Sequence, residues 1–91
     1  MKKALITGSG GLIGSEAARF FAGKEFKIIG IDNDMRRYFF GKEASTKWNI
    51  KKLKNELKGN YRHYDSDIRN IKEIEYILRK ENPEVIIHAA A

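Results

Sequence analysis

Short apolar runs and longer stretches with helical periodicity succeed one another along this chain, separated by glycine, asparagine and aspartate. Lys2 to Thr7 holds the run Ala4-Leu5-Ile6, bounded by glycine and too short for a helix, which predicts a buried strand. From Leu12 to about Lys24, Ile13, Ala17, Phe20 and Phe21 recur at helical spacing, giving one apolar stripe with Glu16 and Arg19 facing water. Gly23 or Lys24 ends that helix, and the β-branched run Lys27 to Ile31 reads as a second strand with Asp32 at its tip.

Residues 33–44 have no clear period and contain the aromatic run Tyr38-Phe39-Phe40, expected to pack over neighbouring elements. Ser45 or Thr46 can cap a helix whose inner face is Ile50, Leu53 and Leu57, and Gly59-Asn60 stops it. Tyr61 to Tyr64 reads as a short aromatic strand closed by Asp65-Ser66-Asp67. Asn70, three residues before Glu73, has the spacing of a capping box, and Ile71, Ile74, Ile77 and Leu78 supply the apolar stripe behind it. Pro83 disfavours helical geometry at Asn82, and Val85 to His88 is the fourth strand.

Four strands separated by three helices predict an α/β fold with parallel pairing and right-handed crossovers. The expected architecture is the N-terminal half of a doubly wound Rossmann sheet, strand order 3-2-1-4, with helices on both faces. In such sheets the ligand crevice lies beyond the C-terminal strand ends, at the switch between the first and fourth strands. Gly8 to Gly14, Asp32, Asp65 to Ile68 and His88 to Ala91 all fall at such ends.

A length of 91 residues suits one small domain with a modest core. No run reaches the ~20 apolar residues of a membrane span, so no membrane partner is expected, and nothing at the N-terminus reads as a signal peptide. The absence of cysteine excludes disulfides and thiolate chemistry and fits a cytoplasmic protein. No residue spacing suggests a metal site.

The net charge of +6 raises the question of nucleic acid. Much of the excess sits in Lys47 to Lys54 and Lys58, where lysines fill the polar positions of a helix. A solvated helix face explains that pattern better than a polyanion surface, although a basic field also draws in an anionic cofactor.

The chemistry is concentrated in Gly8-Ser9-Gly10-Gly11-Leu12-Ile13-Gly14, between the first strand and the first helix. A glycine-rich turn opening a helix presents main-chain N–H groups and the positive end of the helix dipole, a site for a diphosphate. Gly8 permits the tight turn, Gly11 lets the main chain approach the ligand, and Gly14 lets the helix lie close to the sheet. Asp32 follows Gly14 by 18 residues, near the ~20 expected of the carboxylate that holds an adenosine ribose. A carboxylate there favours NAD over NADP, whereas Arg36 and Arg37 nearby are of the type that accommodates a 2′-phosphate. Asp67 is placed to accept from the adenine amino group with Ile68 against the ring, or simply to turn the chain. His88 is expected to be a hydrogen-bonded structural histidine, and Trp48 and His63 have no partner recognisable from sequence.

Thr7 to Ser15, Asp32-Asn33, Asp67-Ile68-Arg69 and His88 to Ala91 occur in the order found in the extended short-chain dehydrogenase/reductases. The chain resembles the N-terminal part of the NAD-dependent epimerase/dehydratase family that acts on nucleotide sugars. Asp32 through Trp48 looks most like the CDP-paratose (CDP-tyvelose) 2-epimerases. The resemblance implies that Gly8, Gly11, Leu12, Ile13 and Gly14 contact the diphosphate of NAD. It places Asp32 and Asn33 at the ribose, Asp67 and Ile68 at the adenine, and Arg36 near the adenosine end. Ala89, Ala90 and Ala91 would then run beside the nicotinamide ribose.

Family members use a Tyr-x-x-x-Lys pair with a Ser or Thr, all after the fourth strand. Tyr61 and Tyr76 have no lysine four residues on, and Tyr38 with Lys42 falls between the second and third strands. The expectation is therefore the NAD-binding part, residues 1–91, of a nucleotide-sugar epimerase or dehydratase, itself inactive and incomplete at its C-terminus. The open edge of the fourth strand invites self-association. The alternatives are a non-catalytic nucleotide-binding module and, less favoured, a basic nucleic-acid binder.

Overall fold

The structure, a computed structural model, describes residues 2–33 and 47–89. Arg36, Arg37, the run Tyr38 to Phe40, the caps Ser45 and Thr46, and Ala90 and Ala91 lie outside the described residues. The elements are β1 (Lys3–Thr7), α1 (Leu12–Gly23), β2 (Lys27–Ile31), α2 (Lys47–Leu57), a 3-10 turn (Lys58–Asn60), β3 (Tyr61–Tyr64), α3 (Ile71–Glu81) and β4 (Val85–His88). They form one parallel sheet in the order β3-β2-β1-β4. The register pairs Leu5 with Ile29 and Ile86, so the centre of the sheet is aliphatic across three strands.

Alternation along the strands splits the core between two faces. Ala4, Ile6 and Ile28 point to α1 and α2, where they meet Ala18, Ile50, Leu53 and Tyr61. Leu5, Ile29 and Ile31 point the other way and meet Ile77, with Ile74 and Leu78 beside it. Helices therefore cover both faces, as the 3-2-1-4 order requires.

The expected stripe on α1 is half right: Ala17 and Phe21 pack against the core, and its other two residues do not. Gly14, Ser15 and Ala18 are the buried residues of the helix, while Ile13 and Phe20 are exposed. Small side chains let α1 lie close against the sheet, which leaves Ile13 and Phe20 outside while Phe21 packs at the edge of the core. Ile71 is also exposed, because α3 reaches the sheet only from its second turn. The Asn70 side chain accepts from the Glu73 N–H at 3.3 Å, the first half of a capping box. Asn82 ends α3 in the left-handed region at φ 46°, ahead of Pro83.

Burial alternates along β4, and Ile86 is exposed on the same face as Leu5. The far end of the sheet is tied by Glu81, whose side chain is fully buried. It accepts from Lys3 Nζ at 3.1 Å, Arg62 Nη1 at 2.8 Å and the Tyr64 hydroxyl at 2.6 Å. Burial pushes its carboxyl up, but hydrogen bonds from Tyr64, Lys3 and Arg62 outweigh burial and hold it at about 2. No helix among the described residues is long and apolar enough to cross a membrane.

Candidate functional site

The glycine loop leaves β1 at its C-terminal end and turns at Gly8, whose φ of 72° suits glycine. The Gly8 N–H donates to the Ile31 carbonyl at 2.7 Å, so the loop starts as a continuation of the β1–β2 ladder. The Gly11 N–H then donates to the Gly8 carbonyl at 3.0 Å, closing the turn. A Cβ on Gly14 would overlap that same Gly8 carbonyl, so the first turn of α1 sits directly on the loop main chain. Gly11 is the N-cap residue of α1 and has no side chain to offer the first helical N–H groups. Those groups stand at the start of α1 with the positive end of the helix dipole behind them, an arrangement that favours an anion.

Asp32 closes the other side. Its Oδ2 accepts from the Gly10 N–H at 2.9 Å, which brings the carboxylate at the tip of β2 against the loop. Asn33, half-buried, follows it. The spacing from Gly14 to Asp32 thus translates into contact between the two parts of the motif.

Three further residues hold the loop, and none of them was recognised from sequence. Asn49, on α2, donates from Nδ2 to the Gly10 carbonyl at 2.8 Å. Ser9 is fully buried, and its hydroxyl shares a hydrogen bond with the Tyr61 hydroxyl at 2.9 Å. Tyr61 in turn meets His63 Nδ1 at 3.0 Å. Gly30 makes room for this cluster, because a Cβ there would collide with the Tyr61 hydroxyl and Ser9 Oγ. Burial pushes the Tyr61 hydroxyl up to about 12, against the lowering effect of its bond to Ser9. Burial and then Lys54 push His63 below the usual imidazole value, with Asp32 and Asp65 acting in the opposite direction.

The remaining expected residues that the structure describes lie at or just past neighbouring strand ends. Asp67 accepts from Arg69 through both oxygens, at 2.6 Å to Nη2 and 2.9 Å to the main-chain N–H. Those hydrogen bonds hold its carboxyl at about 2, so it is an anion at neutral pH. Ile68 is half-buried against the Leu5 and Ile31 cluster. His88 Nδ1 shares a 2.7 Å hydrogen bond with the Thr7 hydroxyl, joining the ends of β1 and β4. The Ala89 N–H donates to the Thr7 carbonyl at 3.1 Å, which keeps the residue after β4 beside the end of β1. No group of three metal-ligating side chains occurs among the described residues.

Comparison with solved structures finds the same fold in sugar-nucleotide enzymes. The UDP-Glc/GlcNAc 4-epimerase of Campylobacter jejuni superposes with a TM-score of 0.78 at 25% identity, over 100% of this chain and 25% of that one. The dTDP-glucose 4,6-dehydratase of Bacillus anthracis, solved with NAD, gives 0.78 at 24% identity over 100% and 27%. The UDP-glucose 4-epimerase of Bifidobacterium longum, solved with NAD+ and UDP, gives 0.79 at 22% identity over 99% and 24%. The chain thus spans about a quarter of the length of these structures. A search of curated proteins by sequence finds no match. The family model described as GDP-mannose 4,6 dehydratase matches residues 5–91, nearly the whole chain. With its loop, its sheet order and that match, the chain belongs to the GDP-mannose 4,6-dehydratase family, among the NAD-dependent epimerases and dehydratases of the extended short-chain dehydrogenase/reductase type.

Proposed function

We propose that residues 1–91 form the NAD-binding unit of a nucleotide-sugar epimerase or dehydratase. One observation carries this reading: the Asp32 carboxylate at the tip of β2 is held against a glycine loop that opens α1. A diphosphate on the Gly11, Leu12 and Ile13 main chain would leave the adjoining adenosine ribose beside Asp32. Asn33 would share that ribose, Asp67 and Ile68 would meet the adenine, and Ala89 would pass the nicotinamide ribose. Gly8 and Gly14 act by shaping the loop. Arg36, Ala90 and Ala91 complete the proposed site from outside the described residues.

The Asp32 carboxylate accepts from ribose hydroxyls and repels a 2′-phosphate, so NAD is preferred to NADP. NAD supplies hydride acceptance and return; the residues described here bind and orient it. The proposed reaction of the whole enzyme oxidises a sugar hydroxyl, allows rearrangement and returns the hydride. Its base would be the tyrosine of a Tyr-x-x-x-Lys pair, which the 91 residues do not supply at the family's position. Support for a nucleotide-sugar substrate comes from the enzymes that share the fold, one of which was solved with UDP. A CDP-paratose 2-epimerase subtype rests on the likeness of Asp32 to Trp48. The absence of cysteine suits a cytoplasmic setting.

Calorimetric titration with NAD, NADP and ADP tests the reading. NAD and ADP should bind, NADP at least tenfold more weakly, and Asp32→Ala should lose most of the NAD affinity. Equal binding by the Asp32→Ala protein would falsify the ribose assignment.

A further inference from the structure

Beneath the glycine loop lies a buried polar chain that the proposed function does not use. We propose that Tyr61 and His63 are positioning residues, which couple the protonation of a β3 histidine to the loop main chain through Ser9. The bearing of this coupling on affinity rests on the dinucleotide reading; the coupling itself is read without ligand.

The geometry is continuous. Ser9 Oγ lies 2.9 Å from the Tyr61 hydroxyl, which lies 3.0 Å from His63 Nδ1. Ser9 is fully buried, Tyr61 buried and His63 half-buried, so water does not compete along most of the chain. Gly30 on β2 is the position whose side chain would displace both hydroxyls. Ser9 and Gly10 are adjacent, and Gly10 is gripped on both main-chain groups by Asp32 and Asn49. A movement of Ser9 is therefore passed to the part of the loop next to the proposed ribose and diphosphate positions.

Hydroxyl groups give the chain a direction. With the imidazole neutral and its proton on Nε2, Nδ1 accepts from Tyr61, and the Tyr61 oxygen accepts from Ser9. Protonation places hydrogen on both ring nitrogens. Nδ1 then donates to Tyr61, Tyr61 donates to Ser9, and the Ser9 hydrogen is turned out of the chain. A buried hydroxyl deprived of its acceptor must find another, which Ser9 achieves by shifting the loop it belongs to. Tyr61 keeps its own hydrogen throughout, since its hydroxyl is held up at about 12.

The charged groups around His63 come from three elements. Lys54 on α2 opposes its protonation, while Asp32 at the end of β2 and Asp65 after β3 favour it. Asp32 also offers a competing route, because its carboxylate touches Gly10 directly.

Nuclear magnetic resonance on the whole chain, titrated between pH 8 and pH 4, separates the routes. The Gly10 and Gly11 amide signals should move with the midpoint of the His63 ring. In Tyr61→Phe and in Ser9→Ala the ring should still titrate while those amides stay still; either variant suffices if the other fails to fold. NAD affinity of the unaltered protein should change threefold or more across the same midpoint, and in Tyr61→Phe it should not. Amides that ignore His63 in the unaltered protein, amides that still follow it in the variants, or NAD affinity equal on both sides of the midpoint overturn the proposal. A chain whose loop follows His63 but which binds no NAD at any pH keeps the coupling and refutes the dinucleotide reading.

Discussion

Replacing Glu81 with glutamine removes one charge and almost no volume at the point where the end of α3 meets the N-terminal side of the sheet. The carboxyl of Glu81 is held at about 2 in the folded chain, against 4.5 for an ordinary glutamate. At 1.36 kcal/mol per pH unit, that difference corresponds to roughly 3 kcal/mol of folding free energy. Arg62 and Lys3 are partly exposed, at 43% and 29%, so solvent screening reduces the expectation to about 2 kcal/mol. For a domain whose total stability is on the order of 5–15 kcal/mol, this is a large share.

The folded-state value lies below the unfolded one. The contribution is therefore complete above about pH 4.5 and is lost as the pH falls toward 2. Urea unfolding of the natural chain and of Glu81→Gln, each followed from pH 7 to pH 2, measures it. The natural chain should be more stable by about 2 kcal/mol at pH 7, and the two curves should converge as acid protonates Glu81. The surface pair Asp67–Arg69 is present in both proteins and cancels in the difference. A gap that stays constant down to pH 2 would show that the glutamine perturbs packing rather than charge, and would refute the role given to the Glu81 charge.

Gly14→Ala forces a Cβ into the Gly8 carbonyl and should cost about 1–3 kcal/mol, read from the urea midpoint, while abolishing NAD binding in calorimetry. Asn70→Ala deletes the acceptor of the Glu73 N–H and should lower stability by about 1 kcal/mol, with Asn70→Asp retaining most of it in the same assay. β4 pairs only with β1 among the described residues and exposes Ile86, so sedimentation should detect self-association that rises with concentration and weakens in Ile86→Lys. A monomer at every concentration would count against an adhesive edge.

The sheet order was legible because its signals are local. Short β-branched runs, glycine and proline breaks and the strand–helix alternation leave one parallel topology. The glycine loop and Asp32 were legible for the same reason, as each sits at the end of its own strand. Residues whose role depends on a distant partner were not. Nothing near Glu81 in sequence marks it as buried; its first partner, Lys3, is 78 residues away. Asn49 reads as one polar residue of a lysine-rich helix until α2 is laid beside Gly10. Tyr61 and His63 show only strand alternation, and Ser9 looks like loop filler between glycines. The half of the α1 stripe that misses the core has a related cause: hydrophobic periodicity weights Ile13 and Phe20, whereas close approach to the sheet selects Gly14, Ser15 and Ala18. Gly14 carried that information, since a helix seated on a glycine cannot also bury bulky neighbours there.

In the proposed site, main-chain N–H groups at the start of α1 hold a diphosphate while Asp32 holds the adjoining sugar. A crystal structure of this chain grown with NAD tests it most directly. Diphosphate oxygens are expected within hydrogen-bonding distance of the Leu12 and Ile13 N–H groups, with Asp32 on the adenosine ribose hydroxyls. NAD bound elsewhere on the sheet, or an Asp32 carboxylate turned away from the ribose, would contradict it.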